Sequence, residues 1–173
     1  ALEPLLYGIG EPYALVSYAI DAAKTRLTPL AESKILDEPF QACFYARDIL
    51  KGRWEPLEAR LLTSSKVDCC LRYVQEVIGG PWPEAEPLFF SMNRQKPLYL
   101  SEALEYATFV QKPLPEPLHA HLMHYDDGTL VNFYTRVLRY AVAVKTVIPN
   151  FEENSHYAFV MDEALHYIEQ VSH

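Results

Sequence analysis

Glycine is scarce in this chain, at 6 of 173 residues, and tryptophan is scarcer at 2. So few glycines argue against a β-sandwich or barrel, whose many tight turns draw on residues free to adopt positive φ. Cysteine is limited to Cys43, Cys69 and Cys70. An odd number containing a neighbouring pair poorly placed to bridge fits a reducing cytoplasm rather than a disulfide framework. No uninterrupted apolar run approaches the roughly 18 to 20 residues of a membrane span. The opening ALEPLLYGIG lacks the basic start and full apolar core of a signal peptide, so no membrane association is expected. Basic residues number 15 against 23 acidic ones, a formal net charge of −8. That balance disfavours a nucleic-acid ligand, because displacing backbone counterions requires concentrated Lys and Arg.

Half of the residues are apolar, enough to bury one core, and the expectation is a single domain over residues 1–173. The 13 prolines suit helices separated by abrupt stops. The organising feature is a tyrosine. Tyr18, Tyr45, Tyr73, Tyr106, Tyr140 and Tyr167 follow one another at spacings of 27, 28, 33, 34 and 27. Three residues before them stand Leu15, Ala42, Cys70, Ala103, Val137 and Ala164, and one residue after them Ala19, Ala46, Val74, Ala107, Ala141 and Ile168. Four residues after them come Ala22, Ile49, Val77, Val110, Val144 and Val171. Apolar positions at −3, 0, +1 and +4 are the stripe of an amphipathic helix, whereas a strand would alternate.

In the first four copies the tyrosine helix is followed by a stop and a second, shorter helix. Gly52 is expected to take the left-handed conformation after the second copy's helix, with Lys51 as a last-turn cation, and Gly79 and Gly80 stop the third. Trp54 and Trp82 each lie nine residues after their tyrosine and are expected to lock the corner, with Glu58 and Glu86 four residues further on. In the fourth copy the tryptophan position becomes Leu114 or Pro115. Asp37 and Glu38 before Pro39, Ser64 with Ser65, and Ser101 are expected helix N-caps. The fifth copy's first helix is expected from about Thr129 to Val147. A last helix from about Asp162 to Val171 would close the array as an end cap.

The stretches YARDILKGRWEPLEARLL and YVQEVIGGPWPEAEPLF resemble short helical-hairpin repeats with an approximate consensus A-x-x-Y-A-x-x-V-[IL]-x-G-R-W-P-E-A-E, common in bacteriophage and bacterial proteins. The resemblance is good over residues 40 to 90, degenerate over 12 to 36 and 98 to 124, and only periodic beyond. It implies an α-helical repeat domain of phage or bacterial origin, in a host or bacterial cytoplasm, and brings no catalytic residues or cofactor with it.

The sharpest local cluster is HAHLMHYDD, with His119, His121, His124 and Asp127. Imidazoles and carboxylates are ligands of zinc and related ions, and His121 and His124 at i, i+3 would share a helical face. The repeat alignment instead sets His119 and His121 at the columns of Glu58 and Arg60, where surface residues are expected. The tyrosines read as buried inter-helix spacers rather than a base-stacking ladder. Cys70 falls on an alanine column and Cys43 on the column of Leu71, while Cys69 shares the column of Gln41 and is the thiol expected to be exposed.

These observations lead to an all-α fold, an α-solenoid-like right-handed stack of about five short helical hairpins plus a C-terminal capping helix. Such arrays bury a continuous spine and present an extended face, so the expected role is a non-enzymatic protein-interaction module with a protein partner. The divergent connections at residues 91–100 and 123–129 are expected to carry the contact. The alternatives are a metal-dependent or small-ligand enzyme with a site near His119, His121 and His124, and an acidic DNA-mimic inhibitor.

Overall fold

A computed structural model describes residues 11–93, 96–97, 99–123, 131–146, 166–167 and 169–170. The chain divides into two compact units, Ala1–Ala85 and Glu86–His173.

In the first unit, helix α1 (Pro12–Tyr18) starts on a proline that supplies a pre-set φ where no amide partner is needed. It runs into a π-helical turn, Ala19–Ala23. After α2 (Pro29–Ile35), helix α3 (Pro39–Tyr45) runs into a second π turn, Ala46–Leu50. Helix α4 (Glu55–Thr63) precedes α5 (Val67–Tyr73), which runs into a third π turn, Val74–Ile78. A 3₁₀ turn, Pro83–Ala85, closes the unit. The first helices pack side by side, α1 on α3 and α3 on α5. The expected stripe is the core at −3 and +1, and at the tyrosine in the second and third copies: Leu15, Ala19, Ala42, Tyr45, Ala46, Cys70, Tyr73 and Val74 are all buried, joined by Ile35, Leu57 and Leu61 from the second helices. The +4 column is not part of it, since Ala22 is exposed and Ile49 and Val77 are half-buried, and Tyr18 is half-buried as well.

The second unit begins with the short α6 (Glu86–Phe89). A two-residue antiparallel ladder follows, in which β1 (Met92–Asn93) pairs with β2 (Lys96–Pro97), Met92 opposite Pro97. Helix α7 (Leu100–Val110) packs on α9 (Val131–Val144), and α8 (Glu116–Met123) lies between them in sequence. Residues 166–167 and 169–170 are helical. Ala103, Leu104, Ala107, Leu114, Leu118, Leu122, Val137, Leu138, Tyr140, Ala141 and Tyr167 form one buried cluster. Apart from the two-residue ladder, the described elements of both units are helical.

The helix stops differ from expectation in an instructive way. Lys51, not Gly52, is left-handed, at φ 53°, and the amides of Lys51 and Gly52 both reach the Ala46 carbonyl. The π turn occupies the five residues after the tyrosine, so the stop falls six residues after it: Lys24, Lys51 and Gly79. In the second unit the helices stay α-helical to their ends and the left-handed residues, Gln111 and Lys145, stand five after their tyrosines. In every described copy with a corner, the corner residue follows its left-handed residue by three: Leu27, Trp54, Trp82 and Leu114, all buried. Leu114, not Pro115, therefore holds the tryptophan position, shifted because that helix lacks the extra residue of the π turn.

Of the expected N-caps, Glu38 holds by position, while the serine caps are corrected. Glu38 occupies the N-cap of α3 and Tyr99 that of α7, neither with a side-chain capping bond. Lys66 precedes α5, and the Ser64 hydroxyl accepts from the Lys66 amide at 3.3 Å one step upstream. Helix α9 stops at Val144, short of the expected Val147, where left-handed Lys145 ends it before Pro149 can; the expected start at Thr129 lies outside the described residues. Most of the expected Asp162–Val171 helix lies outside the described residues. Cys69 is buried rather than exposed. It lies one helical turn before Tyr73, and residues four apart share a face, so the core stripe extends to −4.

Gly79 sits at φ 70° with open space where a Cβ would go, so Gly79→Ala carries backbone strain alone. It should lower stability by about 1 kcal/mol in chemical denaturation. An unchanged midpoint would contradict the left-handed stop.

Candidate functional site

The tyrosine hydroxyls carry a recurring polar arrangement. Tyr45 Oη accepts from the Leu27 amide at 2.8 Å and donates to Glu32 Oε1 at 2.9 Å. Tyr73 Oη accepts from the Trp54 amide at 2.6 Å and donates to Glu58 Oε1 at 2.9 Å. Tyr140 Oη accepts from the Leu114 amide at 2.9 Å, and Tyr106 Oη donates to Glu86 Oε1 at 3.2 Å. In the first unit the Tyr45 and Tyr73 hydroxyls thus hold the corner of the preceding copy. A corner amide has left helical pairing behind, and buried without an acceptor it would cost about 1–3 kcal/mol.

Each carboxylate of this clasp is gripped a second time. Arg26 forms a fork on Glu32 at 2.7 and 3.0 Å, and Arg53 a fork on Glu58 at 2.7 and 2.8 Å. Pro81 stands where a third arginine would, and Lys112 serves Glu86 instead, at 2.6 and 2.8 Å. The Arg53 fork, helped by the Tyr73 hydroxyl, holds the Glu58 carboxyl below its ordinary value. Burial pushes the Tyr45, Tyr73 and Tyr140 hydroxyls up, and in Tyr45 and Tyr73 donation to a carboxylate adds to the effect. Across the corner, Tyr45 and Trp54 rings stand 5.4 Å apart and Tyr73 and Trp82 rings 5.6 Å apart, both tilted.

In the fourth copy a histidine takes the carboxylate's place. His119 Nδ1 lies 3.4 Å from Tyr140 Oη, with the rings 6.4 Å apart. As the Nε2–H tautomer, the imidazole offers Nδ1 as an acceptor. His121 is half-buried on the same helix, while His124 and Asp127 lie outside the described residues. Among the described residues, no group of three or more His, Cys, Asp or Glu side chains is gathered to hold a metal ion.

The three thiols are free and buried. Burial pushes Cys43 and Cys70 up to about 12, and raises Cys69 as well, so they stay protonated at neutral pH and are poor nucleophiles. The Cys43 thiol lies 3.7 Å from the Cys69 carbonyl and the Cys70 thiol 3.6 Å from that of Leu61.

The residues that sequence reasoning passed over lie on the outer side of α3 and α5. Phe40 and Phe44 meet edge to face at 5.1 Å. The Arg72 guanidinium sits over Phe40 at 4.5 Å and over Phe44 at 5.4 Å, and that of Arg47 over Phe44 at 4.9 Å. Glu76 joins the two arginines, accepting from Arg47 at 2.7 Å and from Arg72 at 2.9 Å, and Asp48 adds a fork on Arg47. Phe40 is nevertheless 39% exposed, and Tyr13, its counterpart on α1, is 64% exposed. The available signal was aromatic residues five before and one before the tyrosine, positions outside the core stripe.

The described part of the 91–100 connection contains the two-residue ladder, and most of 123–129 lies outside the described residues. No helix among the described residues is long and apolar enough to cross a membrane. Set against known proteins, the chain matches no family model, no curated protein and no solved structure.

A carboxylate held below its ordinary value of 4.5 stabilises the fold above that pH, and the contribution is lost as pH falls through the lowered folded value. Glu58→Gln should therefore lose melting temperature less steeply than the wild type between about pH 5 and pH 3, as read by circular dichroism. Parallel curves for the two proteins would contradict the clasp's electrostatic part.

Proposed function

We propose that this chain is a non-enzymatic helical-repeat module, of phage or bacterial type, that binds a protein partner. Its hairpins, in this reading, build an α-solenoid-like array with a closing C-terminal helix. The observation that carries the proposal is the outward cluster of Phe40, Phe44, Arg47 and Arg72. Aromatic rings and arginine are the side chains enriched at the energetic centres of protein interfaces. Here stacking and the shared Glu76 bond hold them in place before any partner arrives, which lowers the ordering cost of association. The clasps, by contrast, commit Glu32, Glu58, Tyr45 and Tyr73 to internal bonds, and this supports a scaffold role for them.

The test is affinity capture from bacterial lysate on the immobilised full chain, beside a Phe40→Ser, Arg72→Ala variant of equal helicity. A specific partner should be retained by the wild type and fall by about tenfold on the variant. Equal retention on both, or no specific partner on either, would count against this face.

A further inference from the structure

Three arginines of the first unit grip carboxylates in the same way. Arg26, Arg47 and Arg53 turn the edge formed by Nε–H and Nη2–H onto Glu32, Asp48 and Glu58, at distances between 2.7 and 3.0 Å. That edge matches the two oxygens of a carboxylate. Arg72 on α5 leaves the same edge unused. Its Nη1 donates to Glu76 Oε1 at 2.9 Å, while its Nε and Nη2 donate to none of the described residues, and its ion pair is with Glu76 rather than with Asp68 one turn earlier. The guanidinium is nonetheless oriented: it lies 4.5 Å from the Phe40 ring centroid and 5.4 Å from that of Phe44, and Glu76 tethers it to Arg47. Its side chain is 34% exposed beside the exposed Phe40. Helix α3, which carries both rings, packs on α1 and on α5, and all three helices are described. Arg60 also spends Nη2 alone, on Asp37, but among the described residues no ring lies under it.

We infer that Arg72 and Phe40 form a two-part docking site for an acidic side chain with an apolar neighbour in the partner's chain. The carboxylate of a glutamate or aspartate seats on the Nε–Nη2 edge of Arg72, and the adjoining apolar side chain covers the exposed part of Phe40. The protein's own three forks supply the chemistry of the occupant. The rings and Glu76 hold the guanidinium before the carboxylate arrives, so its ordering costs the complex little. Charge sets the choice between anions. Glu76 and Asp48 stand beside the two guanidiniums, so a singly charged carboxylate meets less repulsion there than a phosphate bearing nearly two charges. The inference rests on the protein-partner reading above and states what that partner presents to this face.

The probe is N-acetyl-glutamyl-phenylalanine amide, titrated onto the full chain up to millimolar concentrations. The arginine side-chain Nε–H signals are followed by heteronuclear magnetic resonance, with that of Arg72 assigned by its loss in Arg72→Lys. The Arg72 signal should shift saturably while the Arg60 signal stays in place. The glutaminyl counterpart of the probe should bind about tenfold more weakly, and Phe40→Ser should weaken binding of the glutamyl probe. An unmoved Arg72 signal, equal shifts at Arg72 and Arg60, equal affinity for the glutaminyl probe, or tighter binding of a phosphoseryl counterpart overturns the inference. If the Arg72 signal does not move while the Phe40→Ser, Arg72→Ala variant still loses its partner from lysate, this inference falls and the partner face stands. If the signal moves and lysate capture is equal for the two proteins, the carboxylate site stands and the partner face falls.

Discussion

A buried backbone amide at a chain reversal is the constraint on which this fold turns. Where a tyrosine helix ends on its left-handed residue and the chain bends into the next helix, the amide of the corner residue loses its helical partner. In this protein a tyrosine from the following copy supplies the oxygen, at 2.8 Å for Leu27, 2.6 Å for Trp54 and 2.9 Å for Leu114. The Tyr45 and Tyr73 hydroxyls also donate a hydrogen bond to Glu32 and Glu58, and those carboxylates take a guanidinium fork. One side chain thereby satisfies a corner, fills the space beneath it and orients an ion pair. Removing the hydroxyl would leave the buried corner amide unmet and take one donor from the carboxylate, which is why phenylalanine is not equivalent to tyrosine at this column.

The contributions rank clearly. The ion pairs have arginines that are more than half exposed, 65% for Arg26 and 54% for Arg53, and exposed pairs of this kind are worth about 0–1 kcal/mol each. Burial of the tyrosine and tryptophan rings contributes more, roughly 1.5–3 kcal/mol for a large apolar side chain. The ion pair therefore tunes the clasp while the rings and the corner amide define it. That ordering accounts for the tolerance seen among the copies. Pro81 replaces the arginine and Lys112 covers Glu86 from elsewhere, and His119 replaces the carboxylate itself, yet Tyr106 and Tyr140 stay fully buried.

Much of the helical fold was legible in the residues. The column of tyrosines and the apolar positions at −3 and +1 located every first helix in the described residues and named most of its core, because helical periodicity repeats within one segment; the +4 position, counted in the same stripe, is half-buried or exposed at Ala22, Ile49, Val77 and Val110. What escaped was chemistry that acts between segments. The tyrosine-to-corner bonds join residues 18, 19 and 26 apart, spacings that vary with loop length and so leave no fixed motif. The π turn hid the true stop, since the glycine that looked like one at position 52 follows a lysine already in the left-handed region. Cys69 was misplaced because a four-column stripe omits the position one turn before the tyrosine. Phe40 and Phe44 went unremarked since single exposed aromatics are common, and only packing shows that Arg72 and Arg47 gather them into a patch.

Amide hydrogen exchange followed by nuclear magnetic resonance reads the corner amides residue by residue. Leu27, Trp54 and Leu114 should exchange roughly a hundredfold more slowly than the exposed neighbours Thr25 and Arg53, approaching the protection of the helix interiors. Corner amides that exchange as fast as Thr25 and Arg53 would show that the tyrosine hydroxyls do not hold them.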